Sequence, residues 1–384
     1  MTLRLVATCA LGLERMLGVE MTALLGREVQ PLRGAVAATG SWLDVWRLNL
    51  WLRTANRVLV ELGSFECVDE DALYRGVFGI AAGDESWGGV GARGLFDPRA
   101  TLAVRATSAG SSLRDSGFVA LRTKDAVVDA QRARAGRRSE VSRRDPDLPL
   151  RLWLEYERAS LLLDTSGVPL DRRGYRPAGV VAPVREQLAA ACAIASGWDG
   201  LGPVVDPMCG SGTLLVETGW IALRRAPGLL RRHWQFARFP GFDAAAFARL
   251  RNEARAGELP VADLHLHGRD HDATAVAAAR QSLATAGLGG AAIVLETGDA
   301  FAMARPPGLP GLVLVNPPWG ERLGGGADSW RRLGDLLKQT FAGYRAVVLA
   351  GDPSHAKQVG LRPARRTPVR NGPLDARILV YELY

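Results

Sequence analysis

Asn316-Pro317-Pro318-Trp319 combines residue types that could activate a planar amine. An apolar run over 312–315 precedes it, so the tetrapeptide stands where a buried strand would end. An amino group conjugated to a base or a carbonyl is a poor nucleophile, because its lone pair is delocalised. An Asn oxygen and a backbone carbonyl that accept its two hydrogens favour the tetrahedral form. Pro317 and Pro318 have fixed φ and no backbone N–H, which leaves carbonyl acceptors exposed beside Asn316. Trp319 offers a flat face for stacking. Taken alone, the same four residues also suit a tight turn after a strand.

Upstream, Asp206-Pro-Met-Cys-Gly-Ser-Gly-Thr213 places a carboxylate at a strand end. Gly210, Ser211 and Gly212 follow, small residues where backbone approaches a ligand before a helix begins. Thr213 occupies the place where a phosphate-binding loop would carry Lys, so this helix N-terminus suits an anion such as an amino-acid carboxylate. Asp270 ends the next strand and could take both hydroxyls of a ribose, and Asp299-Ala300 follows a third strand, where an Asp can accept from an adenine amino group. Each acid by itself is as readily a helix cap or turn residue. Three strand-end acids ahead of N-P-P-W describe an adenosyl pocket with no phosphate site, which fits S-adenosyl-L-methionine better than NAD or ATP. The chemistry implied is methyl transfer to a planar nitrogen.

His265, His267 and His271 have a spacing that evokes zinc, but no cysteine or other ligand completes the set, and no metal is expected. Cys9, Cys67, Cys192 and Cys209 contain no C-x-x-C pair, which argues against a disulfide framework and points to a reducing cytoplasm. The N-terminus lacks a basic segment followed by a long apolar core, and no apolar run reaches the ~18 residues needed to span a bilayer, so a soluble protein without a membrane partner is expected. The 384 residues carry a formal charge of +8, and only three of the 48 basic residues are lysine. Arginine dominance can follow from genome composition, so the basic balance is supporting evidence only for a polyanionic partner.

The elements that must position these residues fall into two groups. Residues 3–8 read as a strand, 12–25 as a helix, 29–37 as a strand pair and 41–50 as a helix capped by Ser41. Residues 101–107 alternate like a half-buried strand, 116–133 have helical periodicity, and 150–156 with 159–164 read as a hairpin. This is a mixed α+β module over 1–165. Inside it, residues 131–144 hold Arg132, Arg134, Arg137, Arg138, Arg143 and Arg144 against one glutamate: a solvated loop if read alone, a phosphate-contacting one beside nucleic-acid chemistry. A linker over 166–182, rich in turn formers, leads to alternating helices and strands over 183–384. That alternation predicts an α/β fold, a parallel, doubly wound (Rossmann-like) sheet with its site at the carboxyl ends of the strands.

Five segments carry a family resemblance: Gly174 to Ala190, which includes G-Y-R-P and A-P-V-R-E; Asp206 to Leu215; Arg225-Ala-Pro-Gly-Leu229; Asn316 to Leu323; and Asn371-Gly-Pro-Leu-Asp375. In this order they resemble the THUMP-domain class I RNA methyltransferases, most closely the bacterial 23S ribosomal RNA guanine-N2 methyltransferases. The segment 116–130, with Lys124, is similar to the THUMP helix. The resemblance implies an S-adenosyl-L-methionine-dependent methyltransferase domain preceded by a ferredoxin-like and THUMP RNA-binding module. It also implies that Asp206, Gly210 and Gly212 frame the methionine part, Asp270 the ribose and Asp299 the adenine, that Asn316 and Pro317 hold the target amine, and that the segment around Ala182-Pro183 closes over the cofactor. Trp319 departs from the Tyr usual in the family, keeping the stacking face and losing the phenol.

The expectation is therefore N2-methylation of a guanine in structured RNA, with 23S ribosomal RNA ahead of transfer RNA. The chain stops near Tyr384 without the second methyltransferase domain fused in some relatives, which keeps both RNAs open. A protein glutamine amide is the alternative substrate for N-P-P-aromatic, and a non-catalytic RNA-binding factor the alternative class. The arginine run disfavours the first and the four intact polar residues of the pocket the second.

Overall fold

The computed structural model describes residues 2–83, 94–179, 184–318, 326–351, 353–372 and 374–384. The N-terminal part runs β1 (Leu3–Cys9), α1 (Glu14–Leu25), β2 (Gln30–Leu32), β3 (Ala35–Gly40), α2 (Trp42–Trp51), β4 (Ala55–Glu66), α3 (Glu70–Ala82), β5 (Leu102–Ala109), α4 (Ser116–Ala135), β6 (Leu148–Glu155) and β7 (Arg158–Asp164). Its strands form one sheet in the order β2-β3-β1-β4-β7-β6-β5, antiparallel except for the parallel β5–β6 pair. Ser41 opens α2 with a capping box closed by Asp44. Gly136, at φ 67°, closes α4 in the left-handed conformation that glycine adopts without strain.

Strand alternation divides this sheet into two faces. Leu5, Val58, Val60, Leu150 and Leu152 enter the main core with side chains of α1, α2, α3 and α4. Val6, Leu59, Ala37 and Leu162 form a separate, small cluster on the other face. The sequence reading contains neither β4 nor α3. Val58, Leu59 and Val60 are all fully buried because β4 is a central strand covered on both faces, and such a strand loses the apolar-polar alternation that marks a half-exposed one.

The C-terminal part runs α5 (Glu186–Ser196), β8 (Val204–Asp206), α6 (Thr213–Ala222), α7 (Ala244–Ala256), β9 (His265–Asp270), α8 (Ala273–Thr285), β10 (Ala292–Thr297), β11 (Leu312–Val315), α9 (Ala327–Thr340), β12 (Arg345–Ala350), α10 (Pro353–Gln358), β13 (Arg365–Asn371) and β14 (Leu374–Glu382). The sheet order is β10-β9-β8-β11-β12-β14-β13. Five strands are parallel as the sequence predicts, but β14 is antiparallel to both β12 and β13, so the sheet is mixed. The reason is local: β13 and β14 pair from Asn371↔Leu374, a hairpin too short for the crossover helix that a parallel return requires. Helix α7 and strand β13 are absent from the sequence reading.

Aromatic packing and buried polar bonds join the two parts. Trp46 of α2 lies 5.3 Å from Phe242 and 6.3 Å from Phe236, ring centroid to centroid. Arg173 and Glu217, whose side chains are 2% and 0% exposed, approach to 3.5 Å, and Tyr175 Oη donates to the same Glu217 oxygen at 3.1 Å. Arg173 also donates to the backbone carbonyls of Leu52 and Leu170. Arg53 reaches across to the carbonyl of Arg225 at 2.7 Å. A buried guanidinium is tolerable only with this degree of pairing.

Candidate active site at the sheet switch point

From β8 the chain first builds outward through β9 and β10, then crosses back to β11 and β12 on the other side. The carboxyl ends of β8 and β11 therefore flank the crevice in which open α/β sheets bind ligands. Asp206 closes β8, Asp270 closes β9, and Asn316 follows β11, whose Val313 pairs with Val205. The strand order thus brings three of the sequence-expected residues to one edge.

Asp206 is 1% exposed. Its Oδ1 accepts from the Met208 amide at 3.1 Å, while Oδ2 is buried without a partner among the described residues. Burial pushes its carboxyl well above the ordinary carboxylate range, and the nearby Asp270 charge pushes the same way. A buried carboxyl in this state gains most from a cationic ligand group, such as an amino acid's ammonium.

Asp270 shapes the loop after β8. Its Oδ2 accepts from Gly210 N at 2.9 Å and its Oδ1 from Asp272 N at 3.1 Å, with His271 Nδ1 3.2 Å away. Gly210 sits at φ 51°, and a Cβ there would meet nothing within 4 Å, so backbone faces open space. Gly212 differs. At φ 78° its missing side chain leaves room for Ala279 of α8, whose Cα would lie 3.2 Å from an added Cβ. Of the two glycines that the sequence places at a ligand, Gly210 borders free volume and Gly212 lets two helices pack. Ser211 and Thr213 hydroxyls lie 3.4 Å apart at the start of α6.

Asp299 caps the short turn that begins at Ala300 and has both oxygens engaged: Oδ1 accepts from Phe301 N at 3.0 Å, and Oδ2 from Arg332 at 3.0 Å. These bonds, the Phe301 amide foremost, hold its carboxyl below the usual range. The Arg332 guanidinium also lies 4.0 Å over the Phe301 ring. Asn316 Oδ1 is buried with no partner among the described residues, beside the buried Pro317. Ala182, Pro183 and Trp319 lie outside the described residues.

Sequence reasoning missed Arg176, Phe301 and Arg332. Arg176 donates to Thr213 Oγ1 at 3.0 Å and to the Val184 carbonyl at 2.8 Å, tying the linker to the α6 N-terminus. Its neighbour Glu186, 3.5 Å away, is pushed up to about 7 by burial, partly offset by Arg176 itself. Only the G-Y-R-P segment pointed near this contact; Phe301 and Arg332 carry no local signal.

The basic run divides by geometry. Lys124 pairs with Asp125 at 2.5 Å and Arg132 with Asp129 at 3.2 Å. Arg134 donates to the carbonyls of Ala81 and Phe96, which fastens α4 to its neighbours. Arg137, Arg138, Arg143 and Arg144 are exposed, and only the last two line a cavity. The described residues contain no group of three or more His, Cys, Asp or Glu arranged to hold a metal, and no helix among them is long and apolar enough to cross a membrane.

The RMKL-like methyltransferase domain family matches residues 173–379, the RlmL ferredoxin-like domain residues 4–59, and the THUMP domain residues 90–164. "Putative RNA methyltransferase slr0064" of Synechocystis sp. is 37% identical over 381 residues, 98% of this chain and 96% of that protein. Ribosomal RNA large subunit methyltransferase K/L of Syntrophotalea carbinolica is 38% identical over 395 residues, 98% of this chain and 53% of its own length, so this chain spans about half of that protein. The crystal structure of SMU.472 complexed with SAH superposes with a TM-score of 0.84 at 26% identity, over 100% of this chain and 98% of that one. An acid-rich crevice with no lysine in its glycine loop, an orphaned buried carboxyl oxygen at Asp206 and open space at Gly210 fit an adenosyl amino acid. The chain belongs to the THUMP-domain class I RNA methyltransferases, which use S-adenosylmethionine as methyl donor.

Proposed function

We propose that the protein methylates the exocyclic N2 amine of a guanine in structured RNA, with 23S ribosomal RNA as the preferred substrate and transfer RNA as the alternative. The observation that carries this reading is the buried Oδ1 of Asn316 at the end of β11, which has no partner among the described residues. A buried amide oxygen with no donor costs on the order of 1–3 kcal/mol, and a ligand that brings a donor removes that cost. Pro317 and Pro318 have no N–H with which to satisfy it. The group that fits is an N–H held close to the mouth of the crevice.

S-adenosylmethionine supplies an electrophilic methyl group when bound. The protein's contribution is to hold the amine still and keep its lone pair directed outward. Asn316 Oδ1 accepts one amine hydrogen and a carbonyl of the proline pair accepts the other, which favours the pyramidal nitrogen. The base leaves its stack to reach these acceptors, and Trp319 serves as the platform on which it rests. Asp206, Gly210, Ser211 and Thr213 hold the methionine part, Asp270 the ribose and Asp299 with Ala300 the adenine edge, while the Ala182-Pro183 segment covers the cofactor. No strong base is needed before attack, because positive charge develops on nitrogen and its proton leaves afterwards.

Support for ribosomal RNA comes from the name of the Syntrophotalea carbinolica relative. The test of the mechanism is Asn316→Ala in a single-turnover assay at saturating cofactor and RNA. Turnover should fall about a hundredfold or more while both ligands still bind, since the lost bond strengthens as the amine pyramidalises. Near-normal turnover would remove Asn316 from the reaction.

A further inference from the structure

A second concavity lies far from the strand ends, on the face of the N-terminal sheet opposite α1 to α4. It has a volume of about 380 Å³ and is lined by seven arginines against two aspartates. Its floor comes from four strands of that sheet, β4 to β7. Arg105 of β5 and Arg151 of β6 are direct cross-strand partners, an arrangement of like charges that is unfavourable by itself. Arg57 of β4 completes the row. A single carboxylate, Asp164, has to serve two of them: its Oδ2 accepts from Arg57 Nη1 at 2.5 Å and from Arg151 Nε at 3.0 Å, and its side chain is only 3% exposed. Burial is the main influence that disfavours the Arg57 charge; Asp164 opposes it, while Arg151 and Arg105 act in the same direction as burial.

The rim belongs to other parts of the chain. Arg143 and Arg144 stand on the loop before β6, and Arg172 on the linker. Among the described residues, neither they nor Arg105 have a carboxylate within ion-pair distance. Bonds between the two parts of the molecule hold these walls. Gln235 Nε2 donates to the carbonyls of Pro146 and Asp147, both at 3.0 Å, Arg238 pairs with Asp145 at 2.7 Å, and Arg231 donates to the carbonyls of Ser166 and Val168. Arg137 and Arg138, on the same loop as Arg143 and Arg144, lie outside the cavity.

We propose that this arginine-lined cavity, built jointly by the N-terminal sheet, the linker and residues 231–238 of the methyltransferase part, is a binding site for backbone phosphates of the RNA substrate. The inference rests on the RNA reading above and assigns where part of the RNA is gripped. Planar, unpaired guanidinia on several sides of one concavity suit phosphate oxygens, which accept bidentate bonds. An anion there supplies the counter-charge that Arg105, cross-strand from Arg151, does not receive from Asp164. The volume lies within the range of small-ligand pockets and admits one nucleotide-sized segment. Because the walls are shared, the sheet alone does not form the site.

A comparison at matched charge tests it. Arg143→Gln/Arg144→Gln and Arg137→Gln/Arg138→Gln each remove two positive charges from one loop, and binding of a ribosomal RNA fragment is followed by fluorescence anisotropy across a salt series. The pair in the cavity should weaken binding several-fold and lower the slope of log K against log salt by roughly 1.5, at about 0.7–0.9 for each phosphate that is no longer neutralised. The pair outside should change the slope much less. Arg105→Gln, on a strand rather than the loop, should lower it by the equivalent of about one phosphate. Equal losses from the two pairs, or an unchanged slope in Arg105→Gln, would assign the effect to loop charge in general and overturn the proposal while leaving the RNA reading intact. Inorganic pyrophosphate titrated at constant ionic strength covers the other source of phosphate: if it binds the parent and not Arg143→Gln/Arg144→Gln, with RNA slopes unaltered, the cavity serves a free nucleotide and the proposal fails. A parent protein that binds cofactor but no RNA would sink both readings together.

Discussion

At the carboxyl ends of β8, β9 and β11 the informative atoms are buried acceptors without donors among the described residues, Asp206 Oδ2 and Asn316 Oδ1. At the N-terminal sheet they are donors without acceptors among the described residues: the guanidinium of Arg105 on the sheet face, and those of Arg143, Arg144 and Arg172 on the rim of its cavity. The first arrangement suits a group held rigidly out of water, where each unsatisfied atom selects its partner at a cost of kilocalories. The second suits a hydrated polyanion, gripped by many interchangeable contacts and released as salt rises. Both sit on seven-stranded sheets, yet one sheet uses its strand ends and the other its face. The topology explains this. Parallel strands covered by helices on both sides leave only their ends free, whereas the mainly antiparallel N-terminal sheet has its helices on one side.

The comparison can be broken from either side. The largest expected effect is the hundredfold loss of turnover in Asn316→Ala, an effect on reaction and not on capture. Next comes Asp270→Ala. It removes the acceptor of Gly210 N along with the proposed ribose contact, and should weaken S-adenosylmethionine binding by about 1.5–3 kcal/mol in calorimetry. RNA affinity should stay unchanged if strand ends and sheet face act separately. Unchanged cofactor affinity in the folded variant would take Asp270 out of the pocket.

Smaller still is an effect on stability alone. Glu186, 6% exposed, has a carboxyl pushed up to about 7 in the fold from an ordinary 4.5. The folded state therefore binds this proton more tightly than the unfolded chain, so the group's contribution is fully present below pH 4.5 and is lost as pH rises through 7. Glu186→Gln should flatten that decline, gaining about 3 kcal/mol at pH 8 relative to pH 4 in denaturant unfolding. A decline as steep as that of the parent would show that Glu186 is ionised throughout, held by Arg176 more strongly than burial opposes it.

How much of this the sequence discloses follows from where each signal lies. Asp206, Asp270 and Asn316 were legible because strand-end position follows from short apolar runs, and strand ends converge in any doubly wound sheet. The Ser41 cap and the hairpin read at 150–156 and 159–164 were legible for the same local reasons. Strand β4 was not, since a strand buried on both faces has no alternation. Nor was the different use of the two glycines, because Gly212 answers to Ala279 of a helix that lies far along the chain. The arginine run is compact in the sequence and dispersed in the fold. Six arginines within 14 residues look like one site, but Arg134 ties helices together and Arg137 and Arg138 face solvent, while the cavity recruits Arg57, Arg105, Arg151 and Arg172 from four distant segments.

The measurement that tests the central claim most directly is product identification. The protein is incubated with isotopically labelled S-adenosylmethionine and separated ribosomal and transfer RNA, and the RNA is digested to nucleosides and analysed by mass spectrometry. The account predicts label in N2-methylguanosine, strongest in 23S ribosomal RNA and lost in Asn316→Ala. Label on a ring carbon, a ribose hydroxyl or an adenine amine would contradict it.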